Sequence, residues 1–287
     1  MTASQPSEIG RVLVEYRLRL LCTYGLFAVE MLGTLTRPYF LGLAVDGLLA
    51  GTYRGLIWLT AVHLVWLVIG TVRHMYDTRT FSAIYTRFVT RVVSRGGDSR
   101  DVSRLSAHSG LARQVVDFLA YDVNYIVEAL YNLIGSLVIL TIYDRTVAVI
   151  CLAVLGPALI LSWWYGRATL RLNVQKHDQL EQEVGIIARG DRDEVAAHYR
   201  ALRGWQIRLS DQEAWNFGAT EILVLLAITG SLLITVRSGH PLLQVGGIIV
   251  IYNYILRFAS GLETIPYAIE RLGSLKDILR RTARLGI

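Results

Sequence analysis

The chain has 287 residues, of which 53% are hydrophobic and only 18% charged, with a mean hydropathy of +0.42. A soluble domain carries about 25% charged residues, so this composition excludes one and indicates an integral membrane protein. The net charge is +6 and all but two of the 29 basic residues are arginines. They lie between apolar runs, which points to membrane topology and excludes a nucleic-acid surface.

Residues 1–10 are polar and no small-residue cleavage site follows Arg11–Arg19, so the first apolar run is expected to remain as a membrane helix. A bilayer needs about 20 apolar residues per helical crossing. Six runs meet this, near 20–46, 55–72, 118–142, 146–165, 217–236 and 245–268. The expected fold class is therefore all-α integral membrane, a single transmembrane domain over 1–287. The gaps alternate: 47–54, 143–145 and 237–244 are short, whereas 73–117 and 166–216 are long.

Arginines fill the segment before the first span, both long gaps and the tail, and the short gaps hold only Arg54, Arg145 and Arg237. The positive-inside rule places both termini and both long loops in the cytoplasm, and a bacterial inner membrane is expected. The long loops read as helical hairpins. Tyr76, Ala83, Ile84 and Phe88 recur among charges in the first, and the second is broken at Gly190 and Asp191. Folded once, about 25 residues per arm reach roughly 35 Å at 1.5 Å per residue.

Polar residues inside the spans are the candidate site. In the third span Asp117, Tyr121, Asn124, Glu128 and Tyr131/Asn132 recur at steps of three and four, so one helix face is expected to be polar. Asp122 lies nearby. Glu30, Thr34 and Arg37 share a face of the first span, and Asn253, Arg257, Ser260, Thr264 and Tyr267 a face of the sixth. Counting 1.5 Å per residue from the span boundaries sets Glu30 and Glu128 about 15 Å from the inner edge and Arg257 about 18 Å from the outer one. All three are expected near the midplane, with Glu221 and Glu263 roughly 6–8 Å in from the cytoplasmic side. Such stripes face other helices or a water-filled cavity. Two readings stay open: a buried Glu–Arg bridge that fixes packing, or a cavity in which a carboxylate binds substrate or takes up a proton. The primary candidates are Glu30, Arg37, Asn124, Glu128, Asn132, Asn253, Arg257 and Glu263; Asp117, Asp122 and Glu221 are secondary. A carboxylate paired with Arg257 is the poorer proton acceptor.

Other polar residues read more simply. His63 among Val, Leu and Trp suits packing. His177 and Glu181 are four apart but have no third ligand in view, so no metal site is expected. Cys22 and Cys151 lie in apolar runs as small packing residues. Trp58, Trp163, Trp164 and Trp215 lie near span ends as interfacial anchors. The basic face Arg87, Arg91 and Arg95 suits loop carboxylates or lipid headgroups. No nucleophile–base constellation appears, so neither enzymatic catalysis nor a cofactor is expected.

Six spans, short outer turns and two long hairpins resemble the membrane domain of an ABC exporter. RPYFLGLAVDGLLAG, with Pro38, Gly42 and Asp46 at four-residue spacing, resembles the end of the first exporter helix. GGIIVIYNYILRFASGLETIPYAIERLGSLKDILRR resembles the sixth helix and its extension, and RLSDQEAWNFGATE at 208–221 is similar to the start of the fifth in a family of six-transmembrane ABC-type domains. Two departures matter. The sequence has no G-x-x-x-x-G-K-[ST] phosphate loop, so it is not expected to hydrolyse ATP itself. In exporters the first cytoplasmic loop commonly carries arginine and aspartate five and nine residues after a glycine; here Val115 and Leu119 stand at those offsets from Gly110. Lack of an ATPase also makes the chain resemble peptide-antibiotic uptake proteins of the SbmA/BacA type.

The resemblance implies twelve helices, hence a two-fold homodimer with an axial cavity. The first expectation is proton-coupled secondary transport, with lipid around the domain and a small-molecule or peptide substrate. The second is the membrane subunit of a split ABC transporter, powered by a separate ATPase. The third is an accessory or scaffolding membrane protein. Acidic groups suit a cationic, amphipathic or peptidic solute; Arg37 and Arg257 suit an anion.

Overall fold

The computed structural model describes residues 8–95, 110, 112–237 and 244–284. Among them no strand occurs. A short helix, α1 (Glu8–Glu15), leads into α2 (Arg17–Leu49), α3 (Arg54–Arg95) and α4 (Ala112–Tyr143). Then come α5 (Arg145–Glu181), the short α6 (Glu183–Arg189), α7 (Arg192–Arg237) and α8 (Val245–Arg284). Helices α2, α3, α4, α5, α7 and α8 each contain a stretch long and apolar enough to cross a membrane. They overrun the apolar runs at the ends remote from the short turns: α7, with 46 residues, is about 69 Å long.

The short turns have local causes. Gly51 sits at φ 72 in the α2–α3 turn, where the Gly47 carbonyl accepts from the Thr52 amide at 2.7 Å. Asp144 caps α5, its carboxylate accepting from the Thr146 amide at 2.8 Å, and Thr235 of α7 donates to it at 3.4 Å. The second hairpin turns where the sequence breaks. Gly190 ends α6 at φ 69, a left-handed conformation that favours glycine. Asp191 then accepts from the Asp193 amide at 2.8 Å to start α7. In the first hairpin, Arg95, Arg100 and Arg104 lie outside the residues whose side chains are described.

Helix α8 is the hub, touching α2, α4, α5 and α7. Its Val250, Tyr254, Ile255 and Phe258 are fully buried, with Leu140, Val147 and Cys151 around them. Pro38 has no N–H, so the carbonyl four residues back lacks its usual donor; beside it, the Tyr254 hydroxyl binds the Leu35 carbonyl at 2.7 Å. The Pro38–Gly42–Asp46 spacing has a plain function in this packing. Gly42 faces the Gly246 backbone, and the Asp46 carboxylate accepts from the Gly246 amide at 2.7 Å at the start of α8. A second core of Val12, Phe81, Ile84, Phe88, Ala112, Val115 and Val116 joins α1, α3 and the start of α4 at the hairpin end. Val115 is thus a packing residue. Glu15 of α1 pairs there with Arg87 at 3.3 Å and Arg91 at 2.6 Å.

Two turns of α4, Phe118–Asp122 and Tyr131–Gly135, are π-helical. Each π turn takes in an extra residue and rotates the rest of the helix about its axis. Tyr121, Asn124 and Glu128 of the polar face expected of the third span still share one side, the one toward α2 and α3.

Candidate functional site

Two polar cavities open beside α2 and α3. The larger, about 540 Å³, lies among α2, α3 and α4 and is lined by Glu30, Thr34, Trp66, Arg73, Asp77, Asn124 and Glu128, among others. The smaller, about 460 Å³, lies nearer the short turns among α2, α3 and α8, with Arg37, His63, Asn253 and Arg257 in its wall.

In the larger cavity Arg73 holds two acids. Its Nε donates to Glu30 and its Nη1 donates to Asp77 at 2.6 Å. All three side chains are mostly buried, at 16%, 11% and 12% exposure for Arg73, Glu30 and Asp77. Glu30 is therefore in a buried ion pair, and its partner is a residue that the apolar-run boundary assigns to the first long loop. The helical spacing of Arg73 and Asp77, four apart, is the sequence signal available for it. Above this cluster Trp66 Nε1 donates to Thr34 Oγ1 at 2.9 Å, and Thr34 donates on to the Glu30 carbonyl at 2.9 Å. Glu30, Thr34 and Arg37 do share one face of α2, and that face meets α3.

Glu128 lines the same cavity, is exposed, and makes no ion pair among the described residues. Asn124 beside it donates to the Ala120 carbonyl at 2.8 Å. Tyr121 of the same stripe also lines this cavity; Asn132 and Asp117 of the stripe, and the neighbouring Asp122, do not. Asn132 is buried and accepts from Arg257 at 3.3 Å. Asp122 accepts from the Tyr267 hydroxyl at 2.9 Å and lies 3.5 Å from Arg271. Asp117 is exposed, 3.8 Å from Arg113 on its own helix.

In the smaller cavity the Arg37 guanidinium lies 5.2 Å from the Trp66 ring, and His63 lies 5.4 Å from that ring. Arg257 bonds Asn132; neither arginine has a salt bridge among the described residues. Asn253 donates to the Ile249 carbonyl at 2.8 Å. Glu263 is exposed beside Glu221 of α7, away from both cavities.

Contacts between the helices set their relative depth. Tyr254 bonds the Leu35 carbonyl, and a Cβ on Gly135 would meet Leu35. Counted from that level at 1.5 Å per residue, Arg257, Glu30 and Glu128 lie about 5, 8 and 11 Å toward the hairpins, within about one helical turn of one another. A charge at the bilayer centre costs on the order of 2.5–3.5 kcal/mol on the insertion scale. The Glu30–Arg73–Asp77 cluster offsets this by pairing; Arg37 and Arg257 do so through an aromatic face and an amide.

His177 and Glu181 are exposed on α5. Trp58, Trp163, Trp164 and Trp215 are exposed as well, as interfacial anchors require. Trp66 differs: it lines the larger cavity, while Arg37 and His63 of the smaller one lie against its ring, and its position three residues after His63 is the sequence sign of a polar contact inside the span.

Six helices long and apolar enough to cross a membrane, among the described residues, with polar cavities between them, fit the membrane-embedded domain of a transport protein. The family description of an ABC transporter transmembrane region matches residues 9–241, and the chain belongs to that family. No curated protein matches the chain.

Proposed function

We propose that the protein moves an amphipathic solute across a bacterial inner membrane as a two-fold homodimer, each chain acting as one six-helix unit with both termini cytoplasmic, and that a proton gradient drives it through Glu128. The observation that carries this reading is the contrast within one cavity. Glu30 and Asp77 are both paired to Arg73, whereas Glu128 faces open space with no ion pair among the described residues. A titrating group in the pathway is what coupling needs, because one proton crossing 100 mV supplies only about 2.3 kcal/mol. Asn124 would orient the solute beside it.

A second reading is drive by a separate ATPase. It is favoured by the family's description and by the second hairpin, where α5 and α6 run antiparallel to α7 far beyond the apolar runs. Isolation from native membranes in mild detergent separates the two. The first reading expects a particle with two copies of this chain and no ATPase. In vesicles, flux should then follow the pH gradient, and Glu128→Gln should abolish that dependence while keeping the wild-type elution profile. A stoichiometric ATPase in the particle, or a fully active Glu128→Gln, overturns proton drive.

A further inference from the structure

We infer that the cavity lined by Arg37 and Arg257 is a binding site for the anionic head of an amphipathic molecule, a carboxylate or phosphate carried on an apolar tail. The inference names a solute class for the transport reading and rests on that reading only for the ligand's being cargo.

Charge comes first. Two guanidinium groups, from α2 and α8, face one cavity of about 460 Å³, and no carboxylate is among the residues that line it. The acids of this region are directed elsewhere. Glu30 and Asp77 are bound to Arg73, Asp46 is bound to the Gly246 amide, and Glu128 lines the other cavity. Glu128 and Arg37 act on Arg257 at a distance, without an ion pair. Two like charges brought to one low-dielectric space repel each other, and an anion between them removes that cost.

Donor geometry comes second. Arg257 spends one bond on Asn132, through Nη1, and the Arg37 guanidinium is held at the Trp66 ring. A guanidinium carries five N–H donors in a fork that matches a carboxylate or phosphate, so most donors of both groups stay available. Shape comes third. Pro38, Leu41, Leu59 and Leu64 form the apolar part of the wall, beside Thr60, His63 and Asn253, and Leu41 and Leu64 are exposed. The cavity therefore offers a cationic end with an apolar approach. A free inorganic anion uses the first and leaves the second empty; an amphiphile uses both.

The test is equilibrium binding of tritiated oleate to the purified protein in maltoside micelles, with empty micelles subtracted. Wild type should bind saturably. Arg37→Gln and Arg257→Gln should each raise Kd about tenfold, as loss of one member of a charge pair does. Arg37→Lys and Arg257→Lys keep the charge and should keep most of the affinity, which separates loss of the site from loss of folding. Arg54→Gln, exposed at the short turn, should bind as wild type does. Methyl oleate, with the tail and no charge, should not compete, and neither should inorganic phosphate. Three results overturn the inference: no saturable oleate binding, both glutamine variants binding as wild type does, or methyl oleate competing as well as oleate. Displacement of oleate by inorganic phosphate would assign the site to a soluble anion and overturn the amphiphile. Binding is read without flux, so a site that binds in a protein that does not transport would overturn the transport reading alone.

Discussion

Arg73 is held by two carboxylates at once, and this sets what its loss does. Removing one partner of a buried ion pair costs about 3–5 kcal/mol, because the other charge is left uncompensated in a poor solvent for it. Arg73→Gln leaves two such charges, on Glu30 and Asp77. Glu30→Gln leaves none, since Arg73 keeps Asp77. Thermal unfolding in detergent should therefore rank Arg73→Gln well below Glu30→Gln, and the double variant Arg73→Gln/Glu30→Gln should recover part of the loss. Equal effects of the two single changes would show that the cluster does not act as one. The same reasoning marks Glu128 as different. It has no ion pair to lose, so Glu128→Gln should leave unfolding nearly unchanged while altering flux.

At the scale of elements, close approach of α2 and α8 explains why glycine stands at 42 and 246. A Cβ on Gly42 would fall into contact with Val250 and within 2.9 Å of the Gly246 carbonyl. Alanine is the better helix former by about 0.8–1.0 kcal/mol, so propensity alone favours Gly42→Ala. Overpacking costs about 1–3 kcal/mol and should prevail, lowering the unfolding temperature. Gly25→Ala is the control: a Cβ there meets nothing within 4 Å, and its stability should hold or rise. A Gly42→Ala variant as stable as wild type would mean that the helices part without cost.

Elements also show what the sequence makes legible. The six spans follow from runs of apolar residues, because crossing lipid leaves few other solutions. The Gly190–Asp191 break follows from one residue that tolerates φ > 0 and one that caps. The faces of α4 follow in part. Tyr121, Asn124 and Glu128 share the cavity side as their spacing implies, whereas Asn132 meets Arg257 of α8 and Asp117 stays exposed. Arg73 is hidden. An apolar window ends at the first arginine, so a cation that pairs inside the bundle is assigned to the loop beyond it.

For the whole molecule, the decisive quantity is which end of the bundle faces the cytoplasm. The turns at 50–53 and 144 lie at one end, and the Gly190 turn at the other. Arginines are dense toward the hairpin end and sparse at the short turns, so the positive-inside rule predicts hairpins that face inward. The rule has a physical consequence for the cavities. The arginine pair of α2 and α8 would lie in the outer half of the membrane or at its middle, and Glu128 deeper toward the cytoplasm, so a solute would meet cationic and acidic groups in sequence. Single cysteines test the orientation. Cys22 is exposed and can be replaced by serine; Cys151 is fully buried and is better replaced by alanine, which adds no polar group to the core. In that background a membrane-impermeant maleimide should label Thr52→Cys on intact cells and Asp191→Cys only after permeabilisation. Both positions are exposed turn residues, so labelling at each reports sidedness. The reverse pattern would invert the topology and, with it, the order in which a solute meets the two cavities. The Arg73 and Gly42 predictions would stand unchanged, since they concern packing and not sidedness.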